Sequence, residues 1–204
     1  MKANSPSFVI SAPSGAGKTT LINMLLASDD RFGFSISTTT RPRRTGETEG
    51  SSYYFTDEPG FRELIDSGSF IEWAKVHGNY YGTAKKEIDR IQNAGKIPIF
   101  DVDVQGARAM RISLVGAAYI FIVPPSREAL ESRLRKRKTD SEEQIQIRLR
   151  NAIRELREYA LYDYIVVNDD LDTALNQIRS IMTAELCKKD RVSDIITGIL
   201  EDVP

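Results

Sequence analysis

Residues Ser11 to Thr20 read Ser-Ala-Pro-Ser-Gly-Ala-Gly-Lys-Thr-Thr, two glycines before a lysine and two hydroxyls. Gly15 and Gly17 carry no Cβ, so the backbone there can curl with its N–H groups turned inward and let an anion approach. The helix behind the loop adds unpaired N–H groups and the positive end of its dipole. In such a loop Ser14, Gly15, Ala16, Gly17 and Thr20 surround phosphates, Lys18 reaches the β- and γ-phosphates, and the Thr19 hydroxyl ligates Mg²⁺, a cation that takes oxygen ligands. The implied ligand is a Mg²⁺–nucleoside triphosphate. The pattern G-x-x-x-x-G-K-[ST] is met with Ala12 in its first position.

A second constellation lies downstream. Thr38 to Glu47 sets Arg41, Arg43 and Arg44 among hydroxyls, with Pro42 excluding a helix. Guanidinium forks bind phosphate oxygens bidentately, and Tyr53 adds a phenolic donor. A third basic cluster, Arg133, Arg135, Lys136, Arg137 and Lys138, falls on helix-forming sequence. Its pair Arg133 and Arg137 stands at i and i+4, a like-charge arrangement costing about 0.2–0.5 kcal/mol on an isolated helix, which phosphates between them would offset.

The elements that must position these groups follow an α/β alternation. Short β-branched or aromatic runs predict strands at Phe8–Ser11, Phe34–Ser37, Ile97–Val102, Ala118–Val123 and Tyr164–Val167. Helical patterns fall between them at Thr19–Ala27, Lys85–Ala94, Gly106–Ser113, Ser126–Lys136, Glu142–Tyr159 and Leu171–Leu186. Right-handed crossovers then give a mostly parallel five-stranded sheet with ligand at the strands' carboxyl ends. The expected organisation is one domain over 1–204: a core of 1–37, 85–125 and 160–189, an inserted lobe at 38–84, a lid at about 126–159 and a tail at 190–204. The tail's apolar spacing (Val192, Ile195, Ile196, Ile199) predicts a helix starting at Ser193 or Asp194, for packing or as a contact in a homo-oligomer.

Charge and composition bound the partners. With 28 Lys and Arg against 29 Asp and Glu, the chain has no bulk basic field, which argues against nucleic acid. The longest apolar stretch, near Val115–Val123, is too short to span a bilayer, and the N-terminal apolar run is too short for a signal peptide. A single cysteine, Cys187, allows no intrachain disulfide. These features read as a soluble cytoplasmic protein. His77, the one histidine, reads as a loop residue rather than a catalyst.

Taken together, S-A-P-S-G-A-G-K, T-T-R-P-R-R-T-G-E-T-E-G-S-S-Y-Y-F, F-I-E-W-A with G-N-Y-Y-G-T, and F-D-V-D-V-Q-G resemble the guanylate kinase family in content and order, from about Phe8 to Asp169. The resemblance implies a P-loop NTPase core with an inserted GMP-binding lobe and a helical lid. It implies the reaction of Mg²⁺·ATP with GMP giving ADP and GDP in purine nucleotide metabolism.

By that resemblance Glu72 reads guanine, whose N1–H and N2–H₂ are adjacent donors suited to a carboxylate. Ser37 donates to O6, and Thr83 and Asp103 approach the donor edge. Arg41, Arg44, Tyr53 and Tyr81 hold the GMP phosphate. The family spaces the pair Arg-x-Pro-Arg, whereas this chain reads Arg41-Pro42-Arg43-Arg44. Arg44 is chosen by its spacing to Gly46 and Glu47, with Arg43 as the alternative. Asp101 resembles the acid that holds Mg²⁺ or its waters beside GMP. Asp103, two residues on, points the same way, and helix N-capping is the alternative for one of the two. Arg133, Arg137 and Arg148 match the lid arginines, and Asn168 matches a position near the ATP base. Two other readings stand beside this one, a guanylate-kinase-like binding module without transfer activity and a P-loop kinase with a different small acceptor.

Overall fold

The computed structural model describes residues 6–76, 78–136 and 141–201. Five strands, β1 (Phe8–Ser11), β2 (Phe32–Phe34), β7 (Ile97–Asp101), β8 (Ala118–Val123) and β9 (Tyr164–Val167), form a sheet in the order β2-β7-β1-β8-β9. Every pair is parallel. β1 is therefore central, and its carboxyl end opens into the glycine loop.

Alternation along these strands sends neighbouring residues to opposite faces. Phe8, Ile10, Ile99, Ile120 and Ile122 pack on one face with Leu21, Ile22 and Leu25 of α1 (Lys18–Ser28) and Ile178 and Met182 of α7 (Leu171–Leu186). Val9, Phe100, Tyr119 and Phe121 pack on the other with Ile88 of α3 (Lys86–Asn93) and Val104, Ala107 and Met110 of α4 (Val104–Ser113). A sheet buried on both faces explains why its strands read as unbroken apolar runs.

Residues 38–84 form a second sheet in the order β4-β3-β6-β5, from β3 (Thr38–Thr39), β4 (Tyr54–Phe55), β5 (Phe70–Val76) and β6 (Asn79–Ala84). Helix α2 (Glu58–Asp66), capped by the Asp57 side chain, packs on it. The lobe has its own small core, in which Phe61 stacks on Phe70 at 4.6 Å and on Tyr80 at 5.3 Å between ring centroids.

Helices α5 (Arg127–Arg135) and α6 (Glu142–Leu156) pair through Leu130, Leu134, Ile145, Leu149 and Ala152. Ser141 and Gln144 form a reciprocal capping box at the start of α6. Several expected bounds shift, among them two by about a turn or half a strand. The strand expected at Phe34–Ser37 lies at Phe32–Phe34, and Glu142–Tyr159 ends as a helix at Leu156 and continues as a 3₁₀ turn over Arg157–Leu161.

The tail helix α8 spans Lys189–Glu201, starting before the expected Ser193. Arg191, near this start, ties the helix to the core: its guanidinium donates to the Gly116 carbonyl at 2.7 Å and lies beside buried Glu185. Ile195, Ile196, Ile199 and Leu200 remain exposed on this helix. Among the described residues no helix is long and apolar enough to cross a membrane.

Candidate active site

Gly15 and Gly17 both sit at φ 92°, in the left-handed region that the loop needs and that a side chain would strain. Both are also crowded. A Cβ on Gly17 would lie 2.4 Å from Asn168 Nδ2, and one on Gly15 would lie 3.0 Å from Leu134 of α5. The loop is thus packed between the β9 end and the α5–α6 pair.

Asn168 was expected near a base. It is 2% exposed, and its side chain donates to the Ala16 carbonyl at 2.7 Å, so it braces the loop. Arg133 joins the same chain of contacts, donating through Nη2 to the Asn168 carbonyl at 2.7 Å. Its Nη1 is buried without a hydrogen-bond partner. Ser14 N–H donates to Glu155 Oε2 of α6 at 3.2 Å, so a carboxylate lies on the loop. Arg148 is half-buried on the same helix, while Arg137 and His77 lie outside the described residues.

Lys18 Nζ is held 2.5 Å from Asp101 Oδ1 and donates to the Val102 carbonyl at 2.6 Å. A cavity of about 340 Å³ begins here. Lys18 and Thr19 line it together with Asp101, Val102, Asp103 and Gly106; Ser37 joins from the crossing into the inserted lobe, and the lobe itself contributes Tyr53, Glu72 and Tyr81. Thr20 is exposed in the first turn of α1, outside this lining.

Glu72 is the buried charge of this cavity, 9% exposed. Burial pushes its carboxyl up to about 7 with a contribution from nearby Asp103, and the hydrogen bonds of Thr83 act in the opposite direction. Thr83 donates to Glu72 Oε1 at 2.7 Å from the paired position on the neighbouring strand. It is 1% exposed, and its hydroxyl fixes the Glu72 carboxylate that lines the cavity.

Asp103 takes the capping alternative, accepting from Gly106 N–H at 2.8 Å at the start of α4 while still lining the cavity. A Cβ on Gly106 would come within 3.4 Å of Glu72 Oε2, so glycine there leaves room beside the carboxylate. Gly106 was not singled out from sequence, although V-Q-G carried the signal.

At the rim, Arg41 stacks over Tyr53 at 5.3 Å, donates to Glu47 Oε1 at 2.6 Å and is only 10% exposed along its side chain. The Tyr53 and Tyr81 rings meet at 6.1 Å. Arg44 is exposed and lies outside the cavity lining, and its backbone N–H donates to Glu47 Oε2 at 2.8 Å. Arg43 is likewise exposed. Glu47, which fastens the basic loop at two points, was used in the sequence only as a spacing mark.

The arrangement can hold a phosphate chain at the loop and a second polar ligand against Glu72. Thr19 and Asp101 offer hard oxygen donors on one wall, and among the described residues no three His, Cys, Asp or Glu gather as a closed metal site. That donor set fits a cation such as Mg²⁺, which takes most of its ligands from phosphate and water.

A family model described as guanylate kinase matches residues 4–185. The guanylate kinase of Nitratidesulfovibrio vulgaris is 48% identical over 193 residues, covering 95% of this chain and 93% of the relative. That of Rhizobium etli is 44% identical over 200 residues, covering 96% and 91%. A crystal structure of guanylate kinase from Anaplasma phagocytophilum superposes with a TM-score of 0.73 at 34% identity, covering 94% of this chain and 91% of that one. Matched over residues 4–185 by the family model and over more than nine-tenths of its length by these relatives, the chain belongs to the guanylate kinase family.

Proposed function

We propose that this chain transfers the γ-phosphoryl group of Mg²⁺·ATP to GMP, giving ADP and GDP in purine nucleotide metabolism. The observation that carries the reading is the single cavity with Lys18 and Thr19 on one wall and buried Glu72 with Ser37, Tyr53 and Tyr81 on the other. It joins a triphosphate loop to a base-reading carboxylate.

In this reading Glu72 accepts from guanine N1–H and N2–H₂, and Ser37 donates to O6. Adenine would set an acceptor nitrogen against Glu72 and leave buried partners unpaired, a mismatch that can discriminate by roughly 10⁴ to 10⁵. Tyr53, Tyr81 and Arg41 hold the GMP phosphate, with Arg44 or Arg43 closing from the exposed side. Thr19 and Asp101 would hold Mg²⁺ or its waters, and the ion supplies neutralisation of charge on the transferred group.

The bond from γ-phosphorus to a GMP phosphate oxygen forms as the bond to the departing ADP oxygen breaks. That acceptor oxygen is already ionised near neutral pH, so no general base is needed. Lys18 and Arg133 stabilise the charge that develops, and the α5–α6 pair with the lobe excludes water that would otherwise hydrolyse ATP.

An ADP-release assay with Mg²⁺·ATP and each of GMP, AMP, CMP, UMP and dTMP tests the proposal. Turnover with GMP alone supports it. Turnover with another acceptor overturns the specificity argument, and GMP binding without turnover favours a binding module.

A further inference from the structure

The chain crosses between the core sheet and the inserted lobe twice, outward over Ser35–Ser37 after β2 and back at Lys85 after β6. One carboxylate governs both crossings. Glu87, in the first turn of α3, is 1% exposed and lies two residues past the return. It accepts from the Ile36 N–H at 2.7 Å on the outward crossing and from the Tyr54 hydroxyl at 3.2 Å in the lobe. It accepts also from Arg90 Nε at 2.9 Å and Nη2 at 2.8 Å. Arg90 Nη2 donates in turn to the Phe34 carbonyl at 2.8 Å, and Tyr54 N–H donates to the Ser37 carbonyl at 2.9 Å.

Ser37 is therefore gripped on both sides by groups that depend on Glu87. Tyr53 lines the cavity while its neighbour Tyr54 reaches Glu87, so consecutive residues tie ligand and clamp together. Glu87 itself does not line the cavity. Burial alone would raise its carboxyl, but Arg90 and the Ile36 N–H hold it below its ordinary value, so it stays ionised at neutral pH.

We propose that Glu87 is a positioning residue that fixes the base of the inserted lobe against the core, setting Ser37 and Tyr53 for the acceptor nucleotide and leaving the donor site untouched. The inference rests on the reading of the lobe as the GMP site. A buried carboxylate satisfied by donors from three segments is costly to disturb, because each donor loses its partner.

The test is steady-state kinetics on the full chain with GMP and ATP varied separately, together with thermal unfolding. Glu87→Gln turns one end of the carboxylate into a donor facing donors. It is expected to raise KM for GMP roughly tenfold and leave KM for ATP within about twofold. Tyr54→Phe removes one donor and should move KM for GMP the same way by less. Ile91→Val, buried on the same helix, should lower Tm without changing either KM. A rise of both KM values together, or a lower Tm with KM for GMP unmoved, overturns the clamp. A wild-type protein that fails to phosphorylate GMP would overturn the GMP reading, and this proposal with it.

Discussion

Lys18 Nζ stands 2.5 Å from Asp101 Oδ1, so the cation expected on a triphosphate and the acid expected near Mg²⁺ neutralise each other across the mouth of the cavity. The pair is only about one-fifth exposed, and in the proposed reaction Lys18 would exchange Asp101 and the Val102 carbonyl for phosphate oxygens. Lys18→Ala should therefore lower kcat by about 10²- to 10³-fold, the scale for removing one charge-stabilising donor, with GMP affinity little changed. Rapid-quench measurement of the chemical step decides it, and an unchanged kcat would remove Lys18 from the reaction.

If Glu72 reads guanine as proposed, GMP binding should be pH-dependent. Its carboxyl is raised from 4.5 to about 7, so the folded protein without ligand binds the extra proton between those values. Stability from this group is complete below about 4.5 and is lost as pH rises through about 7. Guanine donors favour the ionised form, so KM for GMP should fall as pH rises toward and past 7. Glu72→Gln should flatten that dependence in calorimetric titrations and also weaken GMP. The titration of the GMP phosphate is common to both proteins, so a profile equally steep in the variant would exclude Glu72 as its source.

Asn168 acts on the loop through the Ala16 carbonyl. Asn168→Ala should raise KM for ATP and leave GMP binding intact, because the brace lies on the phosphate loop and away from the lobe. Fluorescent-nucleotide titration separates the two sites. Equal weakening of both ligands would point to a general loss of structure.

Glu155 places a carboxylate on the N–H of Ser14, in the loop proposed to bind phosphates. Burial raises its carboxyl, the Ser14 N–H acting the other way, and like charge opposes an incoming triphosphate. Glu155→Gln should tighten binding of a non-hydrolysable ATP analogue several-fold. A weaker or unchanged affinity would mean that the carboxylate orders the loop instead of competing for it.

The phosphate loop, the parallel sheet and the lobe were legible because each is carried by local pattern. β1, β8 and β9 run over the residues expected from apolar runs. β2 was displaced because Gly33 weakens the strand signal there, yet a Cβ at Gly33 would lie 2.5 Å from Ile91 Cγ2, so close packing selects the glycine. Thr83 and Asn168 were marked by motif, but their side-chain directions depend on partners across the fold. Glu155 and Glu87 escaped notice for the same reason: they meet Ser14 and Ile36 across 141 and 51 residues of sequence, and no local spacing announces such contacts.

The lobe and the α5–α6 pair each close around an apolar cluster separate from the two faces of the main sheet. Units with private cores can open one at a time at less than the global unfolding free energy. Amide hydrogen exchange should therefore run in tiers, with β1 and its neighbours slowest and β3–β6 and α6 exchanging earlier through separate sub-global openings. The parts that must admit and release nucleotides would then be those that breathe without loosening the strand that carries the phosphate loop.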